Sequence, residues 1–178
     1  MIMIIREVTL SDIPSLAQLA QKTYADTFAY TLSKDGLRDA LKTRSEDYFS
    51  SVFGKDTILV AQEENRLIGF IQFGEVKTEK IKSGKNDIEL KKIYIDTGFQ
   101  SKGIGTQLIQ AMFAHDRFVC AENIYLDVFP KNTNAINFYK KFGFQIIGKV
   151  PFKANGKILG YDLLMKRSGS NNDTLHFG

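Results

Sequence analysis

The 178-residue chain has a single cysteine, Cys120, only two histidines, short apolar runs and no block of like charge. One cysteine rules out an intrachain disulfide, and Cys120 reads as a small, half-buried apolar side chain. His115 and His176 lie far apart in sequence without metal-ligand spacing. Both are expected to be solvated, and no metal site is expected. The apolar opening Met1-Ile2-Met3-Ile4-Ile5 stops at Arg6 and Glu7. That is too short for a signal-peptide core or a membrane span, and it reads as an opening strand. With no export signal and one cysteine, a cytoplasmic location and no membrane partner are expected. The net charge of +4 is spread along the chain rather than gathered in a basic stripe. Direct nucleic-acid binding is therefore not expected. A modest positive excess suits a small polyanionic ligand.

The apolar fraction is 43% and the charged fraction 25%, the balance of an ordinary globular protein. A chain of this size hides roughly 70% of its unfolded surface, enough for one domain with a proper core. Residues 2–8 alternate as a half-buried strand. Ser11 and Asp12 then offer caps for a helix with Pro14 in its first turn and Ile13, Leu16, Ala17, Leu19, Ala20 and Tyr24 on one stripe. Between Thr27 and Phe53 the spacing predicts two short helices, capped by Ser33 and Ser45, that form a cover over one end of the domain. Residues 57–62 and 67–73 read as a hairpin about the polar turn 63–66, and 75–86 as an exposed charged connection. Helices over 104–113 and 132–141, the second stopped by Gly143, flank a strand over 123–128. Strands over 144–150 and 157–166 close the domain through Asn155-Gly156, and 168–178 reads as a loose tail. Helical and strand periods together define one α/β domain over 1–167, without repeats or a second domain.

The strand over 88–95 carries a defect. Ile88 and Leu90 set one phase and Ile93 and Ile95 the other, with Lys91 and Lys92 between. A one-residue slip of this kind is what a β-bulge produces, and a bulge frees backbone groups for a ligand. Solvated Lys91 and Lys92 would give the same pattern.

After that strand comes Gln100-Ser101-Lys102-Gly103-Ile104-Gly105-Thr106, opening a helix. Glycines let the backbone approach an anion, and the first helical N–H groups and the helix dipole favour phosphate. Lys102 adds a cation. The mononucleotide pattern G-x-x-x-x-G-K-[ST] is absent, and the dinucleotide pattern G-x-G-x-x-G fails because its third position is Leu108. The pattern Q-x-x-G-x-G is instead that of a pyrophosphate arm of coenzyme A.

Residues 89–95 with 98–105 resemble motif A of the GNAT superfamily of N-acetyltransferases. Residues 128–144, with the N-x-x-A-x-x-F-Y-x-x-x-G-F core from Asn132 to Phe144, resemble its motif B. The resemblance covers residues 2–167. It implies a twisted mixed sheet, largely antiparallel, splayed at its centre and flanked by helices, with acetyl-CoA in the gap as cosubstrate. The cofactor arm would pair with the backbone of Ile93, Tyr94 and Ile95, and the pyrophosphate would sit on the turn from Gln100 and Ser101 to Thr106. Asn132 would bond the arm with Asn134 as a nearby alternative, although either asparagine also suits a helix cap. Tyr139 matches the tyrosine that protonates the departing thiolate, where a core aromatic is the plainer reading. Glu89 matches a position that relays the amine proton, through water, and Asp127 on the neighbouring strand could reach the same site.

Within the superfamily, residues 23–28, 93–95 and 99–100 resemble bacterial polyamine acetyltransferases of the PaiA kind. The resemblance implies a small-molecule amine as acceptor, a polyamine among the candidates, and an acetyl transfer by direct attack in a ternary complex. Dimers are common among similar proteins, so a homodimer is a further candidate. Peptide or protein amines, and a non-catalytic domain that only binds acetyl-CoA, are the alternatives. Between Lys22 and Ser50 five acids are balanced by five bases, so no acidic patch for a cationic chain is visible there.

Overall fold

The computed structural model describes residues 3–77, 81–154 and 157–169. Seven strands form one sheet in the order β1-β2-β3-β4-β5-β7-β6. These are β1 (Met3–Glu7), β2 (Thr57–Glu63), β3 (Arg66–Glu75), β4 (Ile88–Ile95), β5 (Asn123–Val128), β6 (Gln145–Ala154) and β7 (Lys157–Ser168). Every neighbouring pair is antiparallel except β4 with β5. The helices are α1 (Ile13–Phe28), α2 (Lys34–Lys42), α3 (Glu46–Val52), α4 (Ile104–Ala114), α5 (Asp116–Val119) and α6 (Thr133–Lys141).

Both faces of the sheet are covered. Ile13, Leu16 and Ala20 of α1 pack with Phe49 and Val52 of α3 on Val60 and Phe70. On the other face, Leu108, Ile109 and Met112 of α4 and Ile136 of α6 pack on Leu59, Ile71, Phe73 and Ile124. Alternate side chains of β2 and β3 go to opposite cores, which is why both read as near-continuous apolar runs.

The expected elements are present with small differences at their ends. Ser33 and Ser45 cap α2 and α3, accepting from the N–H groups of Gly36 and Tyr48. Gly143 ends the α6 region at φ 82°, the left-handed geometry expected of it. Asp12 holds the N-cap position of α1, as expected, but makes no side-chain cap bond there, and Ser11 lies in the turn before it. A 3₁₀ turn over Leu10–Asp12 comes first, and the Asp12 carboxylate turns back to the Thr9 N–H at 2.7 Å and to Arg6. The Arg6 guanidinium holds that carboxyl well below the usual carboxylate range.

One short helix is additional and three further readings change. The four-residue α5 is too short to show a period. His115, expected to be solvated, accepts from the Arg117 N–H at 3.2 Å and pairs with Glu7 at 2.9 Å, so its local structure is a helix cap. Cys120, expected half-buried, is exposed because it follows the last turn of α5. Ser168, the first residue of the expected tail, pairs with Asn123 at the end of β7. The Asn155-Gly156 turn, His176 and residues 170–178 lie outside the described residues.

Candidate active site

The sheet opens where its one parallel pair runs out. β4 and β5 share two register pairs, Ile88 with Ile124 and Glu89 with Tyr125. Beyond them the strands separate, and residues 91–95 have no strand partner on the β5 side among the described residues. On the β3 side Gln72 pairs with Lys92 and Phe73 with Leu90, so Lys91 is the extra residue of a bulge. The bulge explains the phase slip: Ile88, Leu90, Ile93 and Ile95 all reach the same core. It also turns Lys92 and Tyr94 to the opposite face.

The two lysines of the bulge are not solvated. Lys91 Nζ lies 2.8 and 3.0 Å from the two oxygens of buried Asp56, at the start of β2. Gln72 Nε2 donates to Asp56 at 2.7 Å and to the Tyr48 hydroxyl at 2.9 Å. Lys92 Nζ stands 2.9 Å from that hydroxyl and over the Tyr48 ring. Burial, with Arg44 nearby, pulls the Lys92 ammonium down to about 7. Asp56 has room because residue 74 is glycine: a Cβ there would come 2.3 Å from Asp56 Oδ1.

The gap forms a cleft of about 930 Å³ between the two halves of the sheet. The structure brings together Ile93, Tyr94, Ile95, Gln100, Ser101, Gly103, Ile104, Gly105, Thr106, Asn132, Asn134 and Tyr139 on its walls. Two expected residues are elsewhere. Lys102 Nζ sits 4.7 Å from the centroid of the Phe99 ring and does not line the cleft. Glu89, 8% exposed, is buried behind the wall and accepts from the Lys77 N–H at 2.7 Å. Asp127, the alternative carboxylate, does line the cleft.

At one end of the cleft the turn before α4 has the backbone of an anion cradle. Gly103 caps α4 at φ 79° and Ser101 also has a positive φ, 61°, so successive N–H groups can turn toward one point. Gly105 serves packing as well: a Cβ there would lie 3.3 Å from Cζ of Phe138 on α6. Asn132 uses its side-chain oxygen to cap α6, accepting from the Ala135 N–H at 3.1 Å, which leaves its amide N–H donors for other use.

The other end is built from side chains that the sequence pattern did not connect. Tyr24, Thr27 and Phe28 of α1 form one wall, from the segment 23–28 already singled out. Arg44 stacks on Tyr24, 3.7 Å from the ring centroid to its guanidinium carbon, and donates to the Tyr94 hydroxyl at 2.7 and 3.0 Å. Phe152 of β6 and Asp162 of β7 close the opposite wall. Desolvation and then Asp127 push the Asp162 carboxyl up to about 6. Desolvation and the neighbouring Glu89 raise Asp127 as well. Asp127 is open to the water of the cleft yet ringed by protein, and the ring of protein sets the direction of its shift. Tyr139 is 8% exposed, and burial, Tyr94 and Asp127 all raise its hydroxyl above the ordinary phenol value.

No group of three or more metal-ligating side chains occurs among the described residues, and no described helix is long and apolar enough to cross a membrane.

Comparison with known proteins gives a consistent result. The family model described as "Acetyltransferase (GNAT) family" matches residues 17–144. The spermine/spermidine N(1)-acetyltransferase of Bacillus subtilis is 35% identical over 92 residues, 50% of this chain and 59% of that protein. The chain thus spans a little over half the length of that curated relative. An N-alpha-acetyltransferase of Sulfurisphaera tokodaii is 25% identical over 146 residues, 79% of each chain. Among solved structures, the PaiA N-acetyltransferase of Thermoplasma acidophilum in complex with coenzyme A superposes with a TM-score of 0.74. It is 20% identical, covering 94% of this chain and 99% of that one, which establishes a shared fold. An open seven-stranded sheet, its single parallel junction and a family match over most of the chain lead to one assignment: this protein belongs to the acetyltransferase (GNAT) family.

Proposed function

We propose that the protein transfers the acetyl group of acetyl-CoA to a primary amine by direct attack in a ternary complex. One observation carries this reading: Tyr139 and Asp127 line the same cleft, beside a strand edge left open by the β4–β5 split. The residues present fit the cosubstrate. The unpaired edge at 93–95 suits the amide groups of its arm, the turn at 101–106 suits its pyrophosphate, and the amide of Asn132 suits the arm between them.

Acetyl-CoA supplies the acetyl group as a thioester. An amine attacks only after its ammonium loses a proton, and Asp127, with a raised proton affinity, takes that proton directly or through cleft water. Glu89 acts behind it, since its charge contributes to the shift. As the new C–N bond forms and the C–S bond breaks, Tyr139 gives its proton to the departing sulfur. A phenol held above its ordinary pKa stays protonated until that moment.

A polyamine acceptor is the second reading. It is favoured by the printed activity of the Bacillus subtilis relative and by two carboxylates, Asp127 and Asp162, at the acceptor end. The test is release of free thiol from acetyl-CoA against a panel of amines, with acetyl-CoA binding followed separately by calorimetry. Amine-dependent thiol release is expected. Binding of acetyl-CoA without acetylation of any amine would identify a binding domain instead.

A further inference from the structure

Arg44 and Lys92 both line the acceptor end of the cleft, and neither forms an ion pair among the described residues. Their fixed partners are neutral: the hydroxyl and ring of Tyr48 for Lys92, and Tyr24, Tyr94, the Ala40 carbonyl and the Thr43 hydroxyl for Arg44. Cations withdrawn from bulk water without a counter-charge are costly unless a ligand provides one. The nearby acid that does have a salt bridge, Asp56, gives it to Lys91. Asp127 influences both Lys92 and Arg44 electrostatically but contacts neither. The cations and the acid therefore line one cleft without a hydrogen bond or salt bridge between them among the described residues.

The phosphates of the cosubstrate do not account for this pair. Lys92 precedes the end of β4 by three residues, about 10 Å at the usual strand rise, and the phosphate turn lies further on. The bulge also turns Lys92 to the α1 side of the sheet, whereas Ile93 and Ile95 pack toward the α4 side.

We infer that the acceptor is a small aminocarboxylate, whose amine lies at Asp127 while its carboxylate crosses the cleft to Lys92 and Arg44. This rests on the acetyltransferase reading and narrows it. A polyamine would bring further positive charge against two cations that have no acid of their own. An aminocarboxylate supplies each wall with the charge it lacks. Tyr24 and Phe28 also line the cleft, which suits an apolar chain between the two charges.

The experiment compares ω-aminocarboxylates of increasing length, such as γ-aminobutyrate, with their primary amides and with spermidine. For the best length, kcat/KM is expected to exceed those of the amide and of spermidine by at least about tenfold, the scale of one hydrogen bond to a charged group. Lys92→Met should bring the carboxylate-to-amide ratio close to one, while Arg44→Lys, which keeps a cation, should retain part of it. Calorimetry of the N-acetylated acids and amides in the presence of coenzyme A reads the same preference without turnover. If that preference appears where no amine is acetylated, the subsite stands and the transferase reading fails. Equal binding of acid and amide, a preference untouched by Lys92→Met, or spermidine as the best acceptor would each overturn the inference.

Discussion

The two ends of the cleft are made in different ways. The end proposed for the phosphates is backbone: one unbroken stretch from Gln100 to Thr106 that depends on glycine dihedrals and a helix start. The end proposed for the acceptor is side chain: Arg44, Lys92, Asp127, Phe152 and Asp162 come from the α2–α3 connection, β4, β5, β6 and β7. A backbone site tolerates changes of side chain but not of conformation, and a side-chain site has the opposite sensitivity. That difference lets one protein keep its cosubstrate while the partner it acts on changes.

Breaking the comparison at its middle should have the largest effect. Tyr139→Phe keeps a ring packed against Phe138 and Phe144 and removes the hydroxyl. Its kcat is expected to fall on the order of a hundredfold, the usual contribution of a general acid. Melting temperature and acetyl-CoA affinity should barely move. Unchanged turnover would return Tyr139 to a purely structural aromatic.

Lys92→Met probes the acceptor end through stability. In the unfolded chain the lysine keeps its proton up to about 10.5, whereas in the fold it loses it near 7. The folded state thus penalises the charged form, and the cost is complete below pH 7 and fades as pH rises toward 10.5. After allowance for the open cleft and the lost Tyr48 contact, the variant should gain about 2 kcal/mol at pH 6, or roughly 4–8 °C in melting temperature. A gain that does not shrink by pH 10 would mean that packing, not charge, is responsible.

At the phosphate end, Gly103→Val forces a β-branched residue into φ 79°. Strain of this kind costs about 1–3 kcal/mol. Acetyl-CoA affinity should drop about tenfold or more, read by calorimetry, because the turn relaxes away from the phosphates. Product-side binding of acceptors should be unaffected, and loss of both would show that the two ends are not separable.

The smallest effect belongs to Asp162→Asn. The folded carboxyl titrates near 6 instead of 3.8, so the fold penalises the ionised form and stability is lost as pH rises between those values. Discounted for solvent in the cleft, the variant should be more stable by about 1 kcal/mol at pH 8, roughly 2–4 °C, with no gain below about pH 4. A constant gain at all pH values would remove Asp162 from the list of ionising cleft groups.

What the sequence made legible follows the same division. The glycine turn, the phase slip of β4, the caps at Ser33 and Ser45 and the helix ending at Gly143 are local, and local patterns carry their own evidence. Lys91 and Lys92 read equally well as solvated because Asp56, which engages Lys91, is 35 residues away. Arg44 and Asp162 offered no signal at all: each is one charge among many until the sheet brings its strands into order. Glu89 was singled out by its place in the bulged strand. Its burial depends on the Lys77 N–H, which no periodicity reveals.

The Gly105–Phe138 contact has a mechanical consequence. α4 belongs to the half of the molecule that ends in β4, and α6 to the half that begins with β5. Those halves share two register pairs in the sheet and one continuous apolar core beside it. The ring of Phe138 resting on Gly105 is one of the contacts by which that core passes from α4 to α6. A side chain at 105 would press on that ring, so α4 and α6 could not keep their present approach unless the ring moved.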